Sequence, residues 1–185
     1  MNGNIISTLW PRAQAQLLYK VLLVALGVLL LAASAKVQVP FWPVPMTLQT
    51  AVVLLIGVTY GARLAVSTLV SYLAAGAVGL PVFATGAGLA YMAGPTGGYL
   101  AGFLVAAAVT GWLADKGHGR TVLSALAVFA VGEVLMFALG VGWLSALIGP
   151  EKAMAAGLLP FIPAEILKVA LASAVVTIIW KQGKR

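Results

Sequence analysis

The sequence predicts an all-α integral membrane protein: a six-transmembrane-helix bundle with an outward-facing ligand pocket covered by long loops. Three observations point to the membrane bundle. Of the 185 residues, 62% are hydrophobic and only 8% charged, whereas a soluble domain carries about 25% charged residues. Mean hydropathy is +1.08, and the apolar residues come in long repeated runs, as spanning helices require and barrel strands do not. The basic residues, finally, gather at one set of run ends.

Residues 1–185 read as a single membrane domain with helices at roughly 17–35, 47–62, 64–79, 98–114, 121–139 and 163–180. The run from Leu17 to Ala35 is too long and too weakly terminated for a cleaved secretory segment and is taken as the first span. Thr47 is placed to cap the second helix. Gly61-Ala62-Arg63 separates the second helix from the third, and Asp115-Lys-Gly-His-Gly-Arg120 the fourth from the fifth. Pro163 suits the first turn of the last. Residues 36–46, 80–97 and 140–162 are left as longer connections.

Arg12, Lys20, Arg63, Lys116, Arg120, Lys181, Lys184 and Arg185 fall on one side of these spans, against Lys36 and Lys152 on the other. Eight against two predicts cytoplasmic termini by the positive-inside rule, with the three long connections facing outward. The net charge of +7 is then a topology signal, and no nucleic-acid partner is expected. The chain has no cysteine and one histidine, His118, in a polar turn. No disulfide, metal site, cofactor or catalytic residue is expected.

Glu165 and Lys168 lie in the last apolar run, where an ionisable residue marks a functional site by default. Their i, i+3 spacing puts both on one helix face. They form either an internal ion pair with Lys168 snorkelling outward or a ligand site. In Lys36–Thr50, Pro40, Pro43 and Pro45 forbid regular helix and stiffen an extended loop. Phe41 and Trp42 there are either a ligand wall or interfacial anchors. Gln49 makes either an interhelical hydrogen bond or a ligand contact. Six glycines between 79 and 98 suit backbone folding over a cavity, and no Lys-Ser or Lys-Thr follows them to make a phosphate loop. Glu133 lies about 18 Å along the fifth helix, past the bilayer midplane, where it contacts ligand, pairs with a lysine or carries a coupling proton.

Five strings carry a resemblance: Val39-Pro-Phe-Trp-Pro-Val-Pro-Met-Thr-Leu-Gln-Thr50, Gly79-Leu-Pro-Val-Phe83, Gly94-Pro-Thr-Gly-Gly-Tyr-Leu-Ala-Gly-Phe103, Gly140-Val-Gly-Trp-Leu144 and Pro163-Ala-Glu-Ile-Leu-Lys168. In that order, over roughly residues 20–180, the chain resembles the BioY family, biotin-specific substrate-binding (S) components of energy-coupling-factor (ECF) transporters. The resemblance implies a non-enzymatic plasma (inner) membrane subunit. It also implies two kinds of partner, a transmembrane coupling protein and two cytoplasmic ATPases, since the chain has no Walker motif. The family's last string usually reads Pro-Gly-Asp-x-x-Lys. Here Ala164 and Glu165 replace Gly-Asp, which keeps the charge on a carboxylate one methylene longer.

The expected ligand, biotin, has an apolar bicycle and tail, a ureido group and one carboxylate. On that reading Glu165, helped by Gln49 or Thr85, reads the ureido ring, and Lys168 holds charge or carbonyl oxygen at one end. Tyr99, Phe83, Met92 and Trp42 supply packing. Two rival functions are a solitary or ion-coupled secondary transporter of a small carboxylate-bearing metabolite, with Glu133 or Glu165 titrating, and an assembly protein without a small ligand.

Overall fold

The structure is a computed structural model that describes residues 3–10 and 16–182. Arg12, Lys184 and Arg185 lie outside the described residues, so three of the eight charges that set the expected orientation have no structural counterpart here.

The elements in order are α1 (Ile5–Leu9), α2 (Leu17–Lys36), β1 (Gln38–Val39), β2 (Met46–Thr47), α3 (Gln49–Tyr60), α4 (Ala62–Ala77), α5 (Gly88–Ala93), α6 (Gly97–Asp115), α7 (Val122–Ile148), α8 (Pro150–Gly157) and α9 (Ile162–Gln182). Four of them, α2, α6, α7 and α9, are long and apolar enough to cross a membrane. The apolar helices α3 and α4 have 12 and 16 residues. At 1.5 Å per residue α3 covers about 18 Å, well short of a 30 Å hydrocarbon core.

Helix α6 is the centre of the bundle and packs on α7, α3 and α4. Over half of its apolar window is buried, against 17% for α2 at the periphery. The exposed residues of α2 include Leu18, Val21, Leu22, Leu26 and Leu29, a face suited to lipid and costly in water. Small residues bring α6 and α7 together. A Cβ on Gly102 would lie 2.9 Å from the Met136 Cα, so the two backbones touch as small residues allow in membrane helix pairs.

Four features depart from expectation. Helix α7 runs to Ile148 instead of stopping near 139, because Gly140 lies under the Tyr99 ring with no room for a side chain. Gly132 and Gly140 serve packing, against Leu54 and Tyr99, and do not break it. The connection after it holds α8, and the one before α6 holds α5. Thr47 lies one residue before the helix cap, Leu48, yet its Oγ1 still accepts from the Gln49 N–H at 3.2 Å. The proline-rich segment is the bend of a short antiparallel ribbon, pairing Gln38 with Thr47 and Val39 with Met46.

At the end of the bundle away from this ribbon, Asp115 closes the α3–α4 corner. Its Oδ2 accepts from the Ala62 N–H at 3.0 Å, and its Oδ1 from Asn4 Nδ2 at 2.8 Å. Gly61 turns that corner with φ of 77°, a left-handed value that favours glycine. His118 is exposed nearby.

Candidate functional site

The starts of α3 and α9 meet at the ribbon end of the bundle. Glu165, in the first turn of α9, is buried. Its Oε1 accepts from Lys168 Nζ at 2.8 Å, and its Oε2 from the Thr50 hydroxyl at 2.8 Å. Lys168 Nζ also donates to the Thr47 carbonyl at 2.6 Å and to Thr50 Oγ1 at 3.1 Å. An ammonium has three N–H donors, and all three are placed. Lys168 thus folds inward instead of snorkelling, and the charge pair is hydrogen-bonded as a buried pair must be.

Gln49 and Thr50 open α3, both buried. Gln49 Nε2 donates to the Tyr72 hydroxyl at 2.7 Å and lies 3.4 Å from the Leu31 carbonyl. Tyr72 in turn donates to the Val82 carbonyl at 3.0 Å. The next residue, Phe83, stacks on Tyr91 with ring centroids 5.1 Å apart and meets Tyr72 edge-on at 5.5 Å. Lys36 Nζ, at the end of α2, holds this loop by its Phe83 and Ala84 carbonyls at 2.5 and 3.4 Å.

These groups enclose a cavity of about 40 Å³. Gln49, Thr50 and Glu165 are among its polar walls, and Phe83, Tyr99 and Phe161 among its aromatic ones. The Tyr99 hydroxyl donates to the Gly157 carbonyl at 2.7 Å, so its hydrogen is not free for a ligand. Phe137 links Tyr99 and Phe161 through edge-on contacts at 5.9 and 5.8 Å.

The residues singled out from sequence therefore separate into two groups. Gln49, Phe83, Tyr99 and Glu165 line the cavity, and Lys168 stands directly behind Glu165 and Thr50. Trp42, Thr85 and Met92 do not line it. Trp42 is 86% exposed and lies beside Leu147 and Lys152, because the ribbon's bend turns it away. Thr85 is exposed, just past the carbonyls that Lys36 holds, and half-buried Met92 packs on the hydrophobic core.

Sequence reasoning passed over Thr50, Tyr72, Phe137 and Phe161. Tyr72 carried a signal, a phenol inside an apolar helix, which usually needs a hydrogen-bond partner. The other three looked like ordinary residues of apolar runs.

Glu133 lies on α7 and is 9% exposed, and among the described residues neither carboxyl oxygen has a hydrogen-bond partner. It lines a second cleft, apolar and about 410 Å³, between α7 and α9. Phe137 and Glu165 line both spaces and so form the partition between them. Among the described residues no group of three or more His, Asp or Glu side chains is arranged to hold a metal ion.

The profile of the BioY family matches residues 8–185. A protein of Pyrococcus horikoshii named "Probable biotin transporter BioY" is 38% identical over 83% of this chain and 91% of its own length. The "Biotin transporter BioY2" of Lactococcus lactis is 35% identical over 83% of this chain and 86% of its own. Among solved structures, the S-component for biotin from an ECF-type ABC transporter superposes with a TM-score of 0.75 at 25% identity, covering 89% of this chain and 90% of that one.

Proposed function

This chain belongs to the BioY family, and from that premise we propose that it is a biotin-binding membrane subunit mediating vitamin uptake. In this reading all six longer helices sit in the plasma membrane, both termini are cytoplasmic, and the cavity opens outward beneath the ribbon and the 80–96 segment. A transmembrane coupling protein and two ATPase subunits supply ATP hydrolysis. The chain itself binds and carries, and catalyses nothing.

The observation that carries the reading is the Glu165–Lys168–Thr50 network beside Gln49, under a roof of aromatic rings. Biotin's bicycle suits the rings, and its ureido N–H groups suit the oxygens of Glu165 and Gln49. A small-molecule site usually measures about 300–1,000 Å³, so a space of about 40 Å³ must open for the vitamin to enter. The Lys36 contacts on the Phe83 loop and the Phe137–Phe161 ring contact are the joints that would yield.

The test is calorimetric titration of biotin into detergent-purified protein, with Lys168→Ala and Glu165→Ala alongside. Saturable binding in the wild type, lost in both variants, supports the site. A folded wild type that takes up no heat from biotin removes the assignment.

A second reading has one observation in its favour, the carboxyl of Glu133, which lies beside Glu165 without a hydrogen-bond partner among the described residues. It makes the chain a solitary, ion-coupled carrier. Uptake abolished by an uncoupler while cellular ATP persists would select it, and uptake that follows ATP alone would exclude it.

A further inference from the structure

Tyr72 does not line the cavity, yet it dictates what the cavity can recognise. It is fully buried behind Gln49. The Val82 carbonyl can only accept a hydrogen bond, so at 3.0 Å it takes the phenolic hydrogen of Tyr72. With its hydrogen committed, the Tyr72 oxygen can only accept from Gln49. The group 2.7 Å away is therefore the amide NH₂. The same nitrogen lies 3.4 Å from the Leu31 carbonyl, a second pure acceptor.

A reversed amide would set the Gln49 oxygen against the Leu31 oxygen. It would also draw the Tyr72 hydrogen away from Val82 and leave that carbonyl without it. Both changes cost hydrogen bonds in a buried place, where a polar group left unpaired is destabilising. The chain from Val82 through Tyr72 thus leaves Oε1 of Gln49, a pure acceptor, for the cavity that Gln49 lines.

We propose that Tyr72 is a positioning residue that locks the Gln49 amide with its oxygen toward the ligand, making this part of the wall selective for a ligand N–H. The inference deepens the biotin reading and rests on it. A ureido ring offers two N–H donors, and Gln49 in this orientation accepts one of them while rejecting an oxygen in the same place.

The experiment compares biotin with its two cyclic-carbamate analogues, in which a ring oxygen replaces one or the other ureido N–H. Affinities are measured by calorimetry on detergent-purified wild type, Tyr72→Phe, Gln49→Met and the double variant. The wild type should prefer biotin over one carbamate regioisomer. Tyr72→Phe should reduce that preference by about tenfold, the equivalent of one directed hydrogen bond. Gln49→Met should reduce it as far, and adding Tyr72→Phe to Gln49→Met should change nothing more.

A Tyr72→Phe protein that weakens biotin and both analogues by one common factor has lost only packing, and overturns the proposal. So does a Tyr72→Phe preference equal to the wild type's, or a Gln49→Met protein that keeps the full preference, the latter deciding the matter even if Tyr72→Phe does not fold. A folded wild type that binds none of the three ligands instead brings down the biotin reading, and this assignment with it.

Discussion

The hydroxyl of Thr50 donates to Glu165 Oε2 at 2.8 Å across 115 positions of sequence, and so pins the start of α3 to the start of α9. Thr50 Oγ1 also accepts from Lys168 Nζ, which makes Thr50 the joint of the buried network. Thr50→Val keeps the shape and removes the hydroxyl. It leaves Glu165 Oε2 and one Lys168 N–H unpaired, at about 1–3 kcal/mol for a buried unsatisfied group. Thermal unfolding in detergent should show the loss, biotin affinity should fall with it, and Thr50→Ser should restore both. A Thr50→Val protein as stable as wild type would mean the network tolerates an open end.

Breaking the ion pair from one side should cost more than removing it altogether. Lys168→Met strands the Glu165 carboxylate, a change that costs about 3–5 kcal/mol in buried pairs. Glu165→Gln combined with Lys168→Met removes both charges and should recover much of that stability without recovering biotin binding. Unfolding midpoints and calorimetry on the two proteins separate the stability role from the binding role.

Glu133 should behave in the opposite way. Its oxygens have no hydrogen-bond partner among the described residues, so Glu133→Leu removes a buried polar group left without a hydrogen bond and should raise the unfolding temperature. If uptake into cells survives the change, Glu133 takes no part in transport. Uptake lost with biotin binding intact would favour the ion-coupled reading.

Lys36 holds the Phe83 and Ala84 carbonyls from an exposed position. Lys36→Ala should leave overall stability within about 0.5–1 kcal/mol, as for exposed contacts. Backbone amide exchange around Phe83–Thr85 should nonetheless rise, and biotin should associate and dissociate faster. Unchanged exchange in that loop would show that Phe83 is held by its ring contacts with Tyr72 and Tyr91 alone.

Tyr99→Phe tests the division of labour in one side chain. The hydroxyl serves the Gly157 carbonyl and the ring serves the cavity. Stability should drop by about 1 kcal/mol, the net value of one hydrogen bond, with biotin affinity nearly unchanged. A large affinity loss would mean that α8, through Gly157, shapes the pocket.

By itself the sequence determined the membrane class, the approximate positions of the six longer helices, the prominence of Glu165 and Lys168, and the family. Hydropathy and charge act along the chain over one or two dozen residues, and bilayer thickness converts them directly into helices. Glycine was less legible, because Gly140 is a packing contact with Tyr99 that only the neighbouring helix reveals, so the expected end of α7 came nine residues early. The tertiary structure alone decided which polar atoms meet. It joined Thr50 to Glu165, turned all three Lys168 donors inward, carried Trp42 out of the cavity, and set the Gln49 amide against the Tyr72 hydroxyl. Hydrogen bonds work over about 3 Å and demand direction, and the partners here lie as much as 115 positions apart. No local pattern encodes such a meeting, which exists only once the helices have packed.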